Sequence, residues 1–247
     1  MIHDVVDLHT HTIASGHAYN TIYEMARSAA EKGAALLGIS DHAPAMEGAA
    51  GKYYFRSSSR VPRSLYGVQI LFGAELNILN PEGQVDLDEE FSRPLDYAIA
   101  SLHAECMRPG TLEQNTQAYL QAMEHPKVFI LGHPDDGTFE ADYEQLAAKA
   151  AQRHILIELN EASVRPGSYR KNARRNAYRL LSACRRWHTG IIVSSDAHIE
   201  TEILQHHYAL QMLEDMQFPE ELIANVSAER ALARLADRNR YTREHSV

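Results

Sequence analysis

The 247-residue sequence has few cysteines, no long hydrophobic run and no strong basic cluster. Its cysteines, Cys106 and Cys184, make no disulfide framework, and the first residues lack the basic and apolar regions of a secretory signal, so we expect a reducing, cytoplasmic location. No run approaches the ~18 consecutive apolar residues of a membrane helix. The formal net charge of −9 disfavours nucleic acid as the main partner. We therefore expect neither a membrane nor a nucleic-acid partner.

Histidine, in contrast, is abundant. The sequence contains 14 histidines, several of them beside carboxylates and glycines rather than along helical patterns. Hydrophobic residues make up 45% of the chain, which is enough for a sizeable core. Since a domain takes roughly 150 residues and single α/β barrels commonly run to about 200–250, we predict one domain spanning residues 1–247. The sequence leaves the oligomeric state open.

Short apolar runs alternate with helical patterns along the whole chain. Because neither face of a continuously apolar strand meets water, such runs predict a parallel sheet that is covered on both sides. The alternation of strand and helix indicates an α/β fold, and its length suits a closed barrel. The predicted strands span residues 5–9, 36–40, 69–75, 97–102, 128–131, 155–159 and 191–195.

The first predicted helix has clear boundary signals. Thr21 and Glu24 have the spacing of a capping box, and Gly33 supplies a C-terminal stop. Two stretches with little periodicity, residues 43–64 and 79–94, are expected to form loops over one end of the barrel. Further helices are predicted at residues 111–123, 142–152, 169–186, 202–216 and 228–237.

Each predicted strand runs into a possible ligand or hydrogen-bonding group. In α/β barrels the carboxyl ends of the strands form the face that carries active sites. His9 and His11 are two residues apart and project to the same side of an extended chain, as do Asp196 and His198. Imidazole and carboxylate ligands suit zinc, manganese or iron in an open, catalytic site. The candidate ligands, too many for one tetrahedral ion, are His9, His11, His17, His42, Glu75, His103, His133, Asp196 and His198.

Several motifs around these residues form a specific set. They are the opening D-x-H-x-H-T, an SDH after the second predicted strand, a GAE after the third, and the later SLH, GHP and SDAH. Together they resemble the PHP (polymerase and histidinol phosphatase) superfamily over nearly the whole chain, most closely its stand-alone YcdX-like phosphatase branch. The resemblance implies a distorted seven-stranded (β/α)7 barrel, TIM-like, with the active site at the C-terminal strand ends. It also implies three divalent metal ions, with zinc favoured and manganese or iron as alternatives.

The same resemblance implies which side chains hold each ion. All nine positions of the family's metal set are filled here, and Glu75 would bridge the first and second ions. The first ion would be held by His9, His11, Glu75 and Asp196, the second by Glu75, His103 and His133, and the third by His17, His42 and His198.

This metal set predicts hydrolysis of a small phosphate monoester. Two ions that share the Glu75 carboxylate can hold a water and lower its pKa from about 15.7 towards ~7, so that hydroxide attacks phosphorus in line. The positive field of such ions attracts a dianion, so the expected partner is a small phosphorylated metabolite. We predict catalytic roles for Glu75, Asp196 and Arg165, with either the third ion or Arg165 stabilising the leaving oxygen. Loop candidates for binding phosphate are Lys52, Arg56, Arg165 and Arg170.

Other polar residues have more than one interpretation. Asp7 either orients a ligand imidazole or is a buried structural carboxylate. Asp41 is expected to face away from the site, whereas Asn160 either points inward or forms a turn. Cys106 is expected to be a small, partly buried thiol, and the arginine-rich run 170–186 the solvated face of a helix. Ordinary structural roles are expected for His3, His125, His154, His188, His206, His207 and His245.

Four alternative functions remain open at this point. A metal-dependent amidohydrolase also opens with H-x-H, but Glu75 and His103 stand where that family usually places a modified lysine. A phosphodiesterase acting on small nucleotides and a histidinol phosphatase share the predicted metal site. A non-catalytic metal-binding module should have lost ligands, and none is lost.

Overall fold

The computed structural model describes residues 4–245, in which nine short strands form two sheets. His3, one of the histidines expected to be ordinary, lies outside these residues. The strands are β1 (Val6–Asp7), β2 (Leu36–Ile39), β3 (Ser64–Leu65), β4 (Val68–Phe72), β5 (Glu75–Asn77), β6 (Ala98–Ser101), β7 (Val128–Leu131), β8 (Leu156–Asn160) and β9 (Ile191–Ser194). In the first sheet β1, β2 and β4 are parallel, and β3 is antiparallel to β4. In the second, β5 to β9 pair in parallel in chain order.

Helices connect most of the strands, as expected for parallel neighbours. They are α1 (Ile22–Glu31), α2 (Lys52–Arg56), α3 (Glu89–Ser92), α4 (Leu112–Ala122), α5 (Tyr143–Arg153), α6 (Glu161–Val164), α7 (Ala173–Trp187), α8 (His207–Asp215) and α9 (Ala228–His245). The predicted capping box starts α1, because the Thr21 side chain accepts from the Glu24 amide and the Glu24 carboxylate accepts from the Thr21 amide. None of the helices within residues 4–245 is long and apolar enough to cross a bilayer.

The third predicted strand, residues 69–75, is divided between the two sheets. It forms β4 and β5, with a break at Gly73. A Cβ atom on Gly73 would lie 2.7 Å from the ring of Tyr97, whose hydroxyl donates to the carbonyl of Leu8. The buried Tyr97 ring therefore occupies the space beside this glycine, and the chain passes from one sheet to the other at that point.

Two isolated parallel bridges join the sheets near their carboxyl ends. Thr10 pairs with Ala197, and His42 pairs with Glu75. The predicted α/β class with parallel strands is confirmed. A continuous, closed seven-stranded barrel is not shown by the strand pairing of residues 4–245, because β1 is only two residues long and single bridges replace a full ladder at both junctions.

Apolar side chains fill two buried clusters. The smaller cluster gathers residues from both sheets, such as Leu36 and Ile130, together with Leu235 of α9. The larger one lies between strands and helices and includes Leu37 of β2 and Leu131 of β7. Successive residues of a strand point to opposite faces, so both faces of these strands are covered, as the continuous apolar runs predicted.

Three helix predictions need correction at their ends. The predicted helix 169–186 begins only at Ala173, because Asn172 adopts a left-handed backbone with φ of 55°. The predicted helix 202–216 likewise begins only at His207, because Leu204 adopts a left-handed backbone with φ of 54°. At the end of the described chain, α9 continues well past the predicted boundary.

The two stretches predicted as loops contain some regular structure. Residues 43–64 include α2 and the start of β3, and residues 79–94 include α3. Phe55 of α2 is fully buried and Phe91 of α3 nearly so, and the two short helices contact each other. Burial of these aromatic side chains orders segments whose local sequence has no helical periodicity.

Candidate metal centre

Glu75 lies at the centre of the nine side chains predicted as metal ligands, where β5 begins beside the carboxyl end of β2. Its Oε2 atom is 2.8 Å from His42 Nδ1 and 3.3 Å from His9 Nε2. Its Oε1 atom is 3.0 Å from His133 Nε2 and 3.2 Å from His103 Nε2. The buried carboxylate therefore faces imidazoles with both of its oxygens.

Asp196 supplies a second buried carboxylate, directly after β9. Its Oδ1 atom is 3.2 Å from His11 Nε2 and 3.6 Å from His9 Nε2. The ring of His198 stacks on that of His11 with centroids 4.2 Å apart, and its Nε2 atom is 3.0 Å from His17 Nε2. The structure thus brings all nine predicted ligand side chains together.

The ligand atoms fall into three overlapping groups, each with atoms within 4.8 Å of one another. These groups overlap with the three ligand sets that the family resemblance implies, but they are not identical to them. His42, implied for the third ion, also groups with Glu75 and His103, and His11, implied for the first ion, also groups with His42 and His198. The groups are His9, His11 and Asp196; His42, Glu75 and His103; and His11, His42 and His198.

Several of these atoms are buried without a hydrogen-bond partner. Among the residues described, they include Nε2 of His9 and His11, Nδ1 of His42, and Oε2 of Glu75. A buried polar atom that lacks a partner costs roughly 1–3 kcal/mol, so a cluster of them indicates a missing ligand. Nitrogen and carboxylate oxygen donors without thiolate match the preferences of catalytic zinc, manganese or iron. The residues present therefore fit divalent metal ions.

Glu158 orients two of the predicted ligands, although it is not among the residues predicted from the sequence. Its Oε1 atom accepts from His9 Nδ1 at 2.7 Å, and Oε2 accepts from the backbone amide of His133 at 2.7 Å. A carboxylate on one ring nitrogen fixes the tautomer, so that Nε2 of His9 presents its lone pair to the cluster. A single carboxylate in the otherwise apolar strand β8 was the available signal.

Asp41 faces away from the ligand cluster, as predicted, and acts on it through Ser15. The Ser15 hydroxyl donates to Asp41 Oδ1 at 2.7 Å and lies 2.9 Å from His11 Nδ1. On the opposite side, His103 Nδ1 lies 2.7 Å from the side-chain oxygen of Asn77. Both contacts leave Nε2 of the histidine directed at the cluster.

Arg170 and Asn160 hold the outer oxygen of Asp196. Arg170 Nη2 donates to Asp196 Oδ2 at 2.8 Å, and Asn160 Nδ2 donates to the same oxygen at 3.2 Å. Burial raises the pKa of the Asp196 carboxyl, but the neighbouring His9 imidazole and the Arg170 guanidinium hold it well below its usual value. Asp196 is thus ionised, with Oδ1 directed at the histidines. Asn160 points inward, and its Oδ1 also accepts from the Ser163 amide at the start of α6.

Two predicted ligands have an unusual backbone. His133 has φ of 28° and Asp196 has φ of 58°. Non-glycine residues in this region are strained by of order 1–3 kcal/mol and cluster at functional sites. Each lies two residues after the end of a strand, with the side chain of His133 directed at Glu75 and that of Asp196 at His9.

A family model described as PHP domain matches residues 7–162. The chain belongs to the PHP family. Seven of the nine predicted ligands lie within the matched residues, and the remaining two, Asp196 and His198, lie beyond them.

Curated relatives resemble this PHP chain along nearly its whole length. A protein of Clostridium acetobutylicum named a probable phosphatase is 40% identical over 224 residues, covering 90% of each chain. Another so named, from Caldicellulosiruptor saccharolyticus, is 39% identical over 227 residues, covering 92% of this chain and 94% of that one. The relatives thus extend well past the segment that the family model matches.

Solved structures share the fold of this PHP protein at low sequence identity. Histidinol phosphate phosphatase from Lactococcus lactis, in complex with zinc, L-histidinol and phosphate, has a TM-score of 0.57 at 14% identity, covering 87% of this chain and 95% of that one. A chain of archaeal ribonuclease P with mature tRNA has a TM-score of 0.58 at 16% identity, covering 98% and 94%. At such identities the likeness concerns the fold alone.

The ligand cluster of this PHP domain, formed by the nine predicted ligand side chains, borders a cavity of about 480 Å³. Predicted ligands form its floor, including Glu75, His133 and Asp196. Tyr169, whose surface is 85% exposed, lies at its rim beside Arg170. The cavity has room for a small ligand above the cluster.

Three predicted phosphate-binding residues do not line this cavity. Arg165 is paired with Glu202, with Nη1 to Oε1 at 2.9 Å. Lys52 and Arg56 lie on α2, where Arg56 pairs with Glu90 at 3.2 Å. Of the four candidates only Arg170 reaches the cavity, and its guanidinium is bound to Asp196.

Asp7 is a structural carboxylate rather than a partner of a ligand imidazole. It accepts from the backbone amides of Ser195 at 3.2 Å and Leu204 at 3.0 Å. His206, expected to be ordinary, is buried between Asp7 and Asp4. Burial opposes its charge, but the two carboxylates raise the pKa of His206 to about 10. This ion triad connects the first strand to the segment before α8.

The remaining histidines and Cys106 lie outside the metal cluster. None of the candidate groups within residues 4–245 includes them. Burial raises the pKa of the Cys106 thiol to about 12, so the thiol stays protonated at neutral pH. This agrees with its predicted role as a small, partly buried side chain. The histidines concerned are His125, His154, His188, His207 and His245.

Proposed function

We propose that this PHP protein hydrolyses a small phosphate monoester with up to three divalent metal ions, zinc in the first place and manganese or iron as alternatives. The observation that carries the proposal is the convergence of nine nitrogen and oxygen donors, several buried without a partner. The relatives named probable phosphatases and the histidinol phosphate phosphatase with the same fold support it. The expected partner is a small phosphorylated metabolite.

Glu75 and Asp196 have the central roles in this proposal. Glu75 would serve as a ligand through both of its oxygens, because one oxygen faces His9 and His42 and the other faces His103. When bound, divalent ions at such a site neutralise phosphate oxygens and lower the pKa of water. His11, His17, His133 and His198 complete the set of nine ligands.

The protein's own contribution is orientation and charge. Glu158 and Ser15 fix the tautomers of His9 and His11, and Arg170 keeps Asp196 ionised and directed inward. Since all of these contacts form within the protein, the site is preorganised before substrate binds. The cavity of about 480 Å³ favours a small metabolite over a polymer.

The role of Arg165 at the leaving oxygen remains part of the proposal. Its guanidinium would have to leave Glu202, a partly exposed pairing that costs little to break. If Arg165 acts this way, Arg165→Gln lowers kcat with little change in KM. A KM effect alone would assign it to substrate binding instead.

The barrel and the single domain are further parts of the proposal. The bridges at Thr10–Ala197 and His42–Glu75 join the two sheets where the ligands converge. We infer that the sheets together serve as one distorted (β/α)7 barrel, in a single domain over residues 1–247. A cooperative, two-state unfolding curve is the expected result, whereas two separate transitions would contradict it.

Metal analysis combined with kinetics tests the function. Protein purified without added metal is expected to contain about two to three ions per chain and to hydrolyse 4-nitrophenyl phosphate until chelator removes them. His9→Ala should lose both metal and turnover, while the exposed His207→Ala should keep both. Bound metal without any monoesterase activity would overturn the proposal.

Substrate panels then separate the remaining alternatives. Histidinol phosphate is one candidate, through the fold shared with the enzyme from Lactococcus lactis. Small nucleotide diesters are the other class. A higher kcat/KM for diesters than for every monoester would replace the monoesterase proposal with a diesterase.

A further inference from the structure

The segment from α6 to the end of β9 carries an unusual concentration of positive charge. Residues 162–195 contain eight of the 24 lysines and arginines and no aspartate or glutamate, in a chain with a formal charge of −9. The sequence pattern of its helical part predicts a solvated helix face. The structure shows which of these charges are neutralised and which are not.

Some of these cations have carboxylate partners. Arg165 pairs with Glu202, and Arg170 pairs with Asp196. In contrast, the exposed side chains of Lys171, Arg174 and Arg175 form no ion pair with any carboxylate of residues 4–245. Arg174 only donates to the carbonyl of Val164, at a long 3.4 Å. Three uncompensated cations therefore lie side by side at one end of α7.

Their position on the helix adds to the local positive potential. Arg174 and Arg175 lie in the first turn of α7, which has no acidic residue. Cations are unfavourable at this positive end of a helix, where acidic residues would be stabilising. Mutual repulsion and the helix dipole are both relieved by an anion bound at this place.

Two of these cations, Arg174 and Arg175, line a groove of about 570 Å³. It adjoins the metal cavity, because Arg170 lines both and its neighbour Tyr169 lines the rim of the metal cavity. Its lining is rich in hydrogen-bond donors and includes Ser163, Arg165, Ser168, Arg174, Arg175 and Tyr208.

We propose that this groove, called the arginine groove, binds a second phosphate of the substrate. The inference rests on the proposed phosphatase activity and narrows its substrate class to small bisphosphorylated metabolites. One phosphate lies over the metal cluster, and the other lies in the groove across Arg170. Arg174 and Arg175 supply the paired N–H donors that suit phosphate oxygens.

Matched substrates and variants test the arginine groove. We expect the wild type to hydrolyse fructose 1,6-bisphosphate with a higher kcat/KM than fructose 6-phosphate or histidinol phosphate. Arg174→Gln combined with Arg175→Gln should raise KM for the bisphosphate about 5- to 30-fold and leave kcat/KM for 4-nitrophenyl phosphate nearly unchanged. Both side chains are exposed, so the double variant should fold.

A control variant with the same change in net charge is Arg240→Gln combined with Arg243→Gln, on the exposed face of α9. Its KM for the bisphosphate should equal that of the wild type. If both double variants raise KM for the bisphosphate equally, the proposal that the groove binds a second phosphate is wrong. It is also wrong if the Arg174/Arg175 variant raises KM equally for bisphosphate and monophosphate.

Failure of the phosphatase proposal is distinguishable from failure of the groove. If no phosphate ester is hydrolysed, titration calorimetry of the metal-containing protein with fructose 1,6-bisphosphate measures binding directly. Weaker binding by the Arg174/Arg175 variant alone supports the groove. Equal affinities, or no binding by the wild type, refute it.

Discussion

Two buried polar sites at opposite ends of the parallel strands, Arg238 and the ligand cluster, differ in whether the fold itself supplies their hydrogen-bond partners. At the amino end, the guanidinium of Arg238 in α9 is buried and donates to the carbonyls of Val128 and Met123, each at 3.0 Å. At the carboxyl end, Nε2 of His9 and Oε2 of Glu75 have no hydrogen-bond partner among the described residues. The Arg238 guanidinium is satisfied within the fold, whereas these donors at the carboxyl end are left for a ligand, on the face where α/β barrels carry their active sites.

The comparison predicts that substitutions at the carboxyl end affect function and those at the amino end affect stability. The backbone strain at His133 and Asp196 agrees with this division, since both residues follow strands at the carboxyl end.

Glu75→Gln is expected to have the largest effect. The amide removes a charge that faces imidazoles on both oxygens, so activity should fall by about 10³-fold or more, with loss of bound metal. In the metal-free protein the amide leaves the surrounding imidazoles without the charge of their carboxylate partner, so the free energy of unfolding should also fall, by about 1–3 kcal/mol. Hydrolysis assays, metal analysis and urea denaturation measure the three quantities. Glu105→Gln, at the rim of the cavity, is the control that should keep its metal.

Arg238→Met should show the reverse pattern. It leaves several buried carbonyls without a donor, which should lower the free energy of unfolding by about 3–5 kcal/mol. The activity of the folded fraction should be unchanged. Urea denaturation against Arg240→Met, on the exposed face of the same helix, measures the difference. A large loss of kcat in Arg238→Met, with an unchanged free energy of unfolding, would contradict the contrast between the two ends of the strands.

The His206 triad predicts a dependence of stability on pH. Its pKa is raised in the folded state, so its stabilising contribution is complete below the unfolded value near 6.5 and is lost as pH rises through about 10. We expect the free energy of unfolding to fall by about 2–4 kcal/mol across this window. His206→Gln should flatten that part of the curve. An unchanged slope in this variant would assign the pH dependence to other groups.

Glu158→Gln should give the smallest of these effects, and it should change metal binding and turnover rather than stability. The amide can no longer fix the Nδ1–H tautomer of His9 as a carboxylate does, so metal affinity should fall by about 10- to 100-fold. Added metal should largely restore turnover, unlike in Glu75→Gln. Metal titrations of both variants measure the difference, and identical behaviour of the two would show that Glu158 is itself a ligand.

Local sequence patterns predicted much of the fold. The Thr21–Glu24 capping box and the apolar strands depend on residues close together in the chain, so they could be predicted from the sequence. The passage between sheets at Gly73 could not, since it depends on Tyr97, a distant residue whose ring fills the space beside the glycine. The ends of α7 and α8 were likewise set by single left-handed residues.

The candidate ligands could be predicted from the sequence, but the residues that orient them could be predicted only in part. His9 and His11 follow a strand in a recognisable motif, and Asp41 was correctly placed away from the cluster. Glu158 was missed, because a carboxylate within an apolar strand shows no local sign of the partner across the sheet. The pairing of Asp7 with His206 joins residues 199 positions apart, which no local pattern could reveal.

The sequence by itself determined the donor chemistry, nitrogen and oxygen without thiolate, and the placement of those donors at strand ends, because both follow from residue type and from local periodicity. The tertiary structure decided which donor faces which, how each imidazole is oriented, and which cations remain unpaired in the arginine groove. These features depend on contacts between residues far apart in the chain, and only the packing of strands and helices fixes those distances.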